Sequence, residues 1–178
     1  IDHYGKNYPN WRHIDPYLAT YFYMVNVRKP PLNNPKVRKA LALAIDRESI
    51  VKNVTRGEQL PAYHLTPPDT GGYTARSRIQ GDIATARQLL REAGYADGKR
   101  LPPIEILFNT MEAHRAIAEA IQQMWKNNLD IDARLVNQEW KVYLDSQRTK
   151  NYQLARSGWI GDYVDPNTFL DVFVTDGG

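Results

Sequence analysis

Apolar segments of two different periods alternate along this chain, each cut from the next by Pro, Gly, Asp or Asn, and that alternation restricts its fold more than anything else. Residues 18–27 are a continuous aromatic and β-branched run, Leu-Ala-Thr-Tyr-Phe-Tyr-Met-Val-Asn-Val, which predicts a strand buried on both faces and stopped by Pro30-Pro31. Asn34-Pro35 then offers an N-cap followed by proline at the first helical position, and Val37, Leu41, Ala44 and Ile45 recur at helical spacing. Asp46 predicts the cap of a second, short helix carrying Ile50, Val51 and Val54 and ended by Gly57. Residues 58–81 hold three prolines and three glycines and no period. A loop of that length is usually functional or packed against a neighbour.

The second half repeats the scheme. Asp82 predicts the cap of a helix through Ile83, Ala86, Leu89, Leu90 and Ala93, closed by Gly94. Pro102-Pro103 leads into a short strand at 104–108, and Thr110 begins an amphipathic helix whose stripe is Ile117, Ala120, Ile121, Met124 and Trp125. Residues 130–136 alternate with period two, a half-exposed strand, after which Asn137 predicts the cap of a helix through Trp140, Tyr143 and Leu144. A last strand follows at 152–159, and Asp165-Pro166 starts a closing helix with Phe169, Leu170 and Phe173. The order implies an α/β (α+β) layer structure, a sheet covered by helices around one core. Residues 1–17 read as an irregular lead-in and 18–178 as a single lobe, since 178 residues at 42% hydrophobic content suffice for one well-buried domain.

Several function classes drop out. No apolar run approaches the length of a membrane helix. The start, Ile1-Asp2-His3-Tyr4-Gly5, has neither Met nor a signal-peptide pattern and reads as an internal boundary. The absence of cysteine removes disulfides, thiolate metal sites and thiol nucleophiles. Phosphate-loop, dinucleotide, nucleophile-elbow and zinc-protease motifs are all missing, and His3, His13, His64 and His114 lie too far apart for a local metal pattern. A net charge of +3 is small, and the basic run Lys36-Val37-Arg38-Lys39 reads as a solvated helix face because no contiguous stripe or reader motif accompanies it, so nucleic acid is not expected as a partner.

Two acidic residues and two tryptophans remain. Asp162 and Asp165 suggest the paired carboxylates of a glycosidase, but they sit three residues apart in one turn, and Asp165 before Pro166 is already explained as a helix start. Asp162, directly after Gly161 at a strand end, has no such structural reason. Together with Trp140, Arg156 and Trp159 it supplies two aromatics, a guanidinium and a carboxylate within one stretch, a set able to grip a zwitterion. The same residues also fit two core anchors and a surface ion pair, and the pattern alone does not decide.

Longer motifs do. Phe22-Tyr23-Met24-Val25-Asn26, the stretch from Lys29 through Asn34-Pro35 to Asp46-Arg47, Asn137-Gln138-Glu139-Trp140, and Arg156 to Tyr163 followed by Asp165-Pro166 resemble the peptide-binding class of bacterial ABC-transporter solute receptors, the oligopeptide-binding proteins above all. The resemblance implies a mixed β-sheet lobe, one of two that close on a ligand, with the other lobe missing from this chain. It implies a non-enzymatic receptor without cofactor or metal, periplasmic or lipid-anchored on the outer face of the cytoplasmic membrane. Its partners would be short peptides and the subunits of an ABC permease. Asp162 would hold the peptide α-ammonium, Trp140 and Trp159 would wall side-chain pockets, and Arg156 and His114 would meet the carboxylate for certain ligand lengths. The strand through Arg156, Gly158 and Ile160 would pair with the peptide backbone. Some members carry a cysteine where Ile160 stands, paired with one near Ala19; this chain has neither. Cargo in the class also includes murein peptides, haem and nickel chelates, and a carbohydrate-active enzyme or a ligand-free interaction module are the rivals from outside it.

Overall fold

Short polar side chains set the helix starts in the computed structural model, which describes residues 2–11, 13, 15, 17–95 and 101–174. Asn34 Oδ1 accepts from the Lys36 N–H at 2.9 Å and opens α2 (Pro35–Leu43). Asp46 Oδ1 accepts from the Ser49 N–H and opens α3 (Arg47–Ser49), which widens into a π-turn at Ile50–Thr55. Asp82 caps α4 (Ile83–Glu92) through the Thr85 N–H. Each such cap contributes about 1 kcal/mol. The stop after the π-turn comes one residue before the expected glycine, at Arg56, whose φ of 50° lies in the left-handed region.

Four strands form one sheet in the order β1-β4-β2-β3: β1 (Ala19–Val25), β2 (Ile104–Asn109), β3 (Ala133–Gln138) and β4 (Leu154–Ile160). β1 and β4 run antiparallel, whereas β4 with β2 and β2 with β3 run parallel, so the sheet is mixed. Alternate residues of β2 serve two layers. Ile104, Ile106 and Phe108 join the main core with Val37, Leu41, Leu90, Ile117, Ile121 and Trp125 from α2, α4 and α5 (Glu112–Leu129). Leu107 faces the other way and packs with Ala155, Tyr152 and Tyr143, the last from α6 (Trp140–Arg148). Each large apolar side chain buried this way contributes about 1.5–3 kcal/mol. The buried Trp125 indole N–H donates to the Leu41 carbonyl at 3.0 Å, and Lys36 pairs with Glu92 at 2.9 Å, so α5 and α4 are both tied to α2. The closing helix α7 (Asn167–Leu170) buries Phe169.

Three readings change. β1 is an edge strand with half-buried side chains rather than one covered on both faces; only Thr20 is buried along it, because β1 pairs on one side alone. Asn137 lies inside β3, which extends to Gln138 through the Asn109↔Gln138 pair, and Glu139 caps α6 instead, accepting from the Lys141 N–H at 2.9 Å. The lead-in contains a short helix, α1 (Asp2–Asn7), and a 3₁₀ turn at Pro9–Trp11. Residues 1, 12, 14 and 16 of that lead-in, and 96–100 and 175–178 of the lobe, lie outside the described residues. The long loop at 58–81 has no strand or helix and docks on β1, where the Thr20 hydroxyl donates to the Leu65 carbonyl at 2.6 Å.

Ala19 and Ile160 are direct register partners at the ends of β1 and β4. A one-residue slip would put them on opposite faces. Ala19→Cys with Ile160→Cys should therefore form a disulfide on air oxidation, read as loss of free thiol, and raise stability to denaturant by about 2–4 kcal/mol.

Candidate functional site

The site is built where β4 leaves β2. Their parallel ladder has only the pairs Ile106↔Leu154 and Leu107↔Ala155, while β2 goes on with β3 as far as Gln138. At the parting point the Arg156 carbonyl accepts from the Tyr143 hydroxyl and, at 3.4 Å, from the Gln147 side-chain amide. Beyond it that edge of β4 has no strand partner among the described residues.

Which backbone groups face the opening follows from the other ladder. The Asn26 N–H to Gln153 carbonyl and Gly161 N–H to Leu18 carbonyl bonds, both 2.8 Å, bracket β1 and β4. Antiparallel pairs alternate between bonded and non-bonded, so residues 155, 157 and 159 direct their N–H and C=O toward β1, whereas Gly158 and Ile160 direct theirs away from it, into the open edge. Gly158 and Ile160 are both exposed.

At the strand's end, Gly161 is required by space: a Cβ there would come within 2.7 Å of Leu18 Cδ2 and 3.1 Å of Thr168 Cγ2. The turn then presents Asp162, whose N–H is held by the Thr168 hydroxyl at 2.9 Å and whose side chain is exposed, with no ion pair or hydrogen-bond partner among the described residues. Asp165 is used differently, since its Oδ1 accepts from the Asn167 N–H at 2.8 Å at the start of α7. The long loop backs this turn, with a Cβ on Gly71 coming within 3.0 Å of the Val164 carbonyl.

Trp140, 49% exposed, stacks on Tyr143 with centroids 5.9 Å apart and planes at 17°. Trp159 is half-buried, and its indole nitrogen is enclosed without a partner. Neither tryptophan belongs to the main core. Arg156 has no carboxylate within ion-pair distance among the described residues, and its buried Nε likewise lacks a partner. His114, in the first turn of α5, is 6% exposed. Its Nδ1 lies 3.4 Å from the Tyr21 hydroxyl, and its Nε2 is buried and unpartnered. Arg156, His114 and Tyr21 thus form one cluster, whereas Asp162 stands apart at the far end of β4.

Burial, joined by the Arg156 charge, lowers the His114 pKa from 6.5 to about 4, so the imidazole is neutral near pH 7. Burial also pushes the Tyr21 and Tyr23 hydroxyls up and the Tyr143 hydroxyl to about 12. The sequence reading missed Tyr21 and Tyr143. Tyr143 looked like helix core, and it is fully buried, but its hydroxyl ends the β4 ladder. Tyr21 left no signal in the sequence, because its place opposite Gly158 is set by strand register.

Residues 2–178 match the family described as bacterial extracellular solute-binding proteins, family 5 (middle). The chain belongs to that family. It is 42% identical over 168 residues to the oligopeptide-binding protein OppA of Bacillus subtilis, covering 90% of this chain and 31% of that protein. The periplasmic murein peptide-binding protein MppA of Escherichia coli is 40% identical over 176 residues, 96% of this chain and 33% of that one. The structure of the Escherichia coli murein tripeptide-binding protein MppA superimposes with a TM-score of 0.90 over 98% of this chain and 35% of that chain, at 38% identity. Haemophilus influenzae OppA in complex with the peptide RPPGFSPFR superimposes with a TM-score of 0.77 at 39% identity, over 89% of this chain and 32% of that one. The chain therefore spans about a third of the length of these family members.

The geometry of this family 5 chain makes two expectations measurable. Because the folded His114 takes up its proton at lower pH than the unfolded one, its contribution to stability is complete above about pH 6.5 and is lost as the pH falls toward 4. His114→Gln should flatten the stability profile in that window, and Arg156→Met should raise the His114 pKa only part of the way to 6.5, since burial is the larger cause, as read by NMR titration. Gly161→Ala should cost about 1–3 kcal/mol in urea unfolding, with Leu18→Ala in the same chain relieving part of the clash.

Proposed function

We propose that this chain is one ligand-binding lobe of a larger two-lobe peptide receptor that hands short peptides to an ABC permease. The observation that carries the reading is the open edge of β4, with Gly158 and Ile160 aimed into it, ending at the exposed and unpaired carboxylate of Asp162. An extended peptide adds to such an edge as a further strand: main-chain bonds supply affinity without reading side chains, and pockets for alternate residues supply preference. Asp162 meets the α-ammonium at one end, Arg156 and His114 meet the carboxylate at the other, and Trp140 and Trp159 line the side-chain pockets. These two charged ends make the peptide run antiparallel to β4.

The role is that of a non-enzymatic carrier. Asp162 and Asp165 lie three residues apart in one turn, a poor spacing for the paired carboxylates of a glycosidase, and Asp165 Oδ1 accepts the Asn167 N–H at the start of α7. Closure of the second lobe over the ligand excludes water and strengthens the charge-assisted contacts, so one lobe alone binds weakly. The proposed setting is the periplasm, or the outer face of the cytoplasmic membrane through a lipid anchor. The periplasmic naming of MppA supports the first, and no helix among the described residues is long and apolar enough to cross a membrane.

The test uses the complete receptor and calorimetry with trialanine and N-acetyl-trialanine. Asp162→Ala should cost about 2–5 kcal/mol for the free peptide and little further for the acetylated one. Equal losses for both would remove Asp162 from its role. N-methylation of the peptide should weaken binding at alternate residues only, those opposite Gly158 and Ile160.

A further inference from the structure

Tyr21 stands between the two groups assigned to the ligand's far end, and nothing above gives it a function. Its hydroxyl is 3.4 Å from His114 Nδ1, and the two rings are 5.6 Å apart. The Arg156 guanidinium carbon lies 5.6 Å from the centre of the Tyr21 ring, a cation–π distance, and the guanidinium also reaches the Tyr21 hydroxyl. The opposite residue on β4 is Gly158, so no side chain there covers the ring, which remains 37% exposed.

A neutral imidazole carries one donor and one acceptor. When the Tyr21 O–H donates to Nδ1, the imidazole proton sits on Nε2. Nε2 and Arg156 Nε are both buried without partners. They then become two enclosed N–H donors, one of them charged, with no carboxylate among the described residues to receive them. Buried donors left unsatisfied are costly, and a site built from two of them lacks only an acceptor. We propose that Tyr21 is a positioning residue for the ligand carboxylate: its ring seats the Arg156 guanidinium, its hydroxyl selects the His114 tautomer, and the pair of N–H groups is thereby presented to one peptide C-terminus. This rests on the peptide-receptor reading and adds a determinant of ligand length to it. The neutral state of His114 near pH 7 agrees with a tautomer chosen by a neighbour.

Asp162 lies six positions beyond Arg156, which is about 20 Å along an extended strand at 3.4 Å per residue. With the α-ammonium at Asp162, peptides of three to five residues bring their carboxylate within side-chain reach of Arg156. The experiment therefore measures tri-, tetra- and pentaalanine and their C-terminal amides against the complete receptor, as wild type, Tyr21→Phe and Tyr21→Leu. Wild type should favour the acid over the amide by tenfold or more at one of these lengths. Tyr21→Phe, which keeps the ring, should reduce that ratio by about three- to tenfold, and Tyr21→Leu should reduce it further. Adding Tyr21→Phe to His114→Gln should reduce it no further than His114→Gln alone. Equal loss for acid and amide in Tyr21→Phe, or an unchanged ratio, would overturn the role of Tyr21. A wild-type receptor that binds acids and amides equally at every length would remove the carboxylate site and this proposal with it, while leaving the receptor reading intact. Failure to bind any of the six peptides would defeat both.

Discussion

One hydroxyl decides where the sheet stops being a sheet. β4 is bonded along β1 but shares only two residue pairs with β2, and the Tyr143 side chain takes the Arg156 carbonyl at the point of separation. The Tyr143 ring is anchored in the smaller apolar layer with Leu107, Tyr152 and Ala155, so the ladder's end is held by packing on the far face. Without a partner there, the carbonyl would sit half-enclosed and unsatisfied. The result is a strand that is rigid on one edge and open on the other.

An open edge is ordinarily a hazard, because it templates pairing with any other extended chain. This one is short, contains a glycine and ends in a tight turn before an acidic residue, all features that limit unwanted pairing. The same features suit a short extended ligand with a positive end. Stability and the open edge are separated in the fold: the main core with Ile104, Ile106 and Phe108 is built on β2, so the open segment of β4 adds little to the packing.

Along β4, several polar groups are enclosed rather than exposed. Arg156 Nε, His114 Nε2 and the Trp159 indole nitrogen are all buried without partners. A lobe that leaves such groups unsatisfied is poised for a partner that supplies acceptors, and the cost of leaving them empty favours whatever ligand fills them.

Much of the frame was legible from residue type and spacing. Asn34, Asp46 and Asp82 cap the helices they were expected to cap, because a short side chain bonding a backbone N–H two or three residues away is a local event. The strands expected at 104–108 and 152–159 lie at Ile104–Asn109 and Leu154–Ile160, and Ile117, Ile121 and Trp125 of the expected α5 stripe are buried while Ala120 and Met124 are half-buried. The readings that changed depended on contacts distant in sequence: β1 was expected to be buried on both faces until its place at the sheet edge was known, and Asn137 was expected to cap a helix until β2 extended β3 past it. Asp162, Trp140, Trp159 and Arg156 could be named from the chain as candidates, since charge and aromatic character are properties of single residues, whereas Gly158, Ile160 and His114 were named only through the family resemblance. That Asp162 stands free while Asp165 does not, that Arg156 and His114 meet across Tyr21, and that Gly158 and Ile160 face an opening are facts of register and of where two strands part. Those depend on non-local backbone pairing, which one-dimensional spacing does not encode.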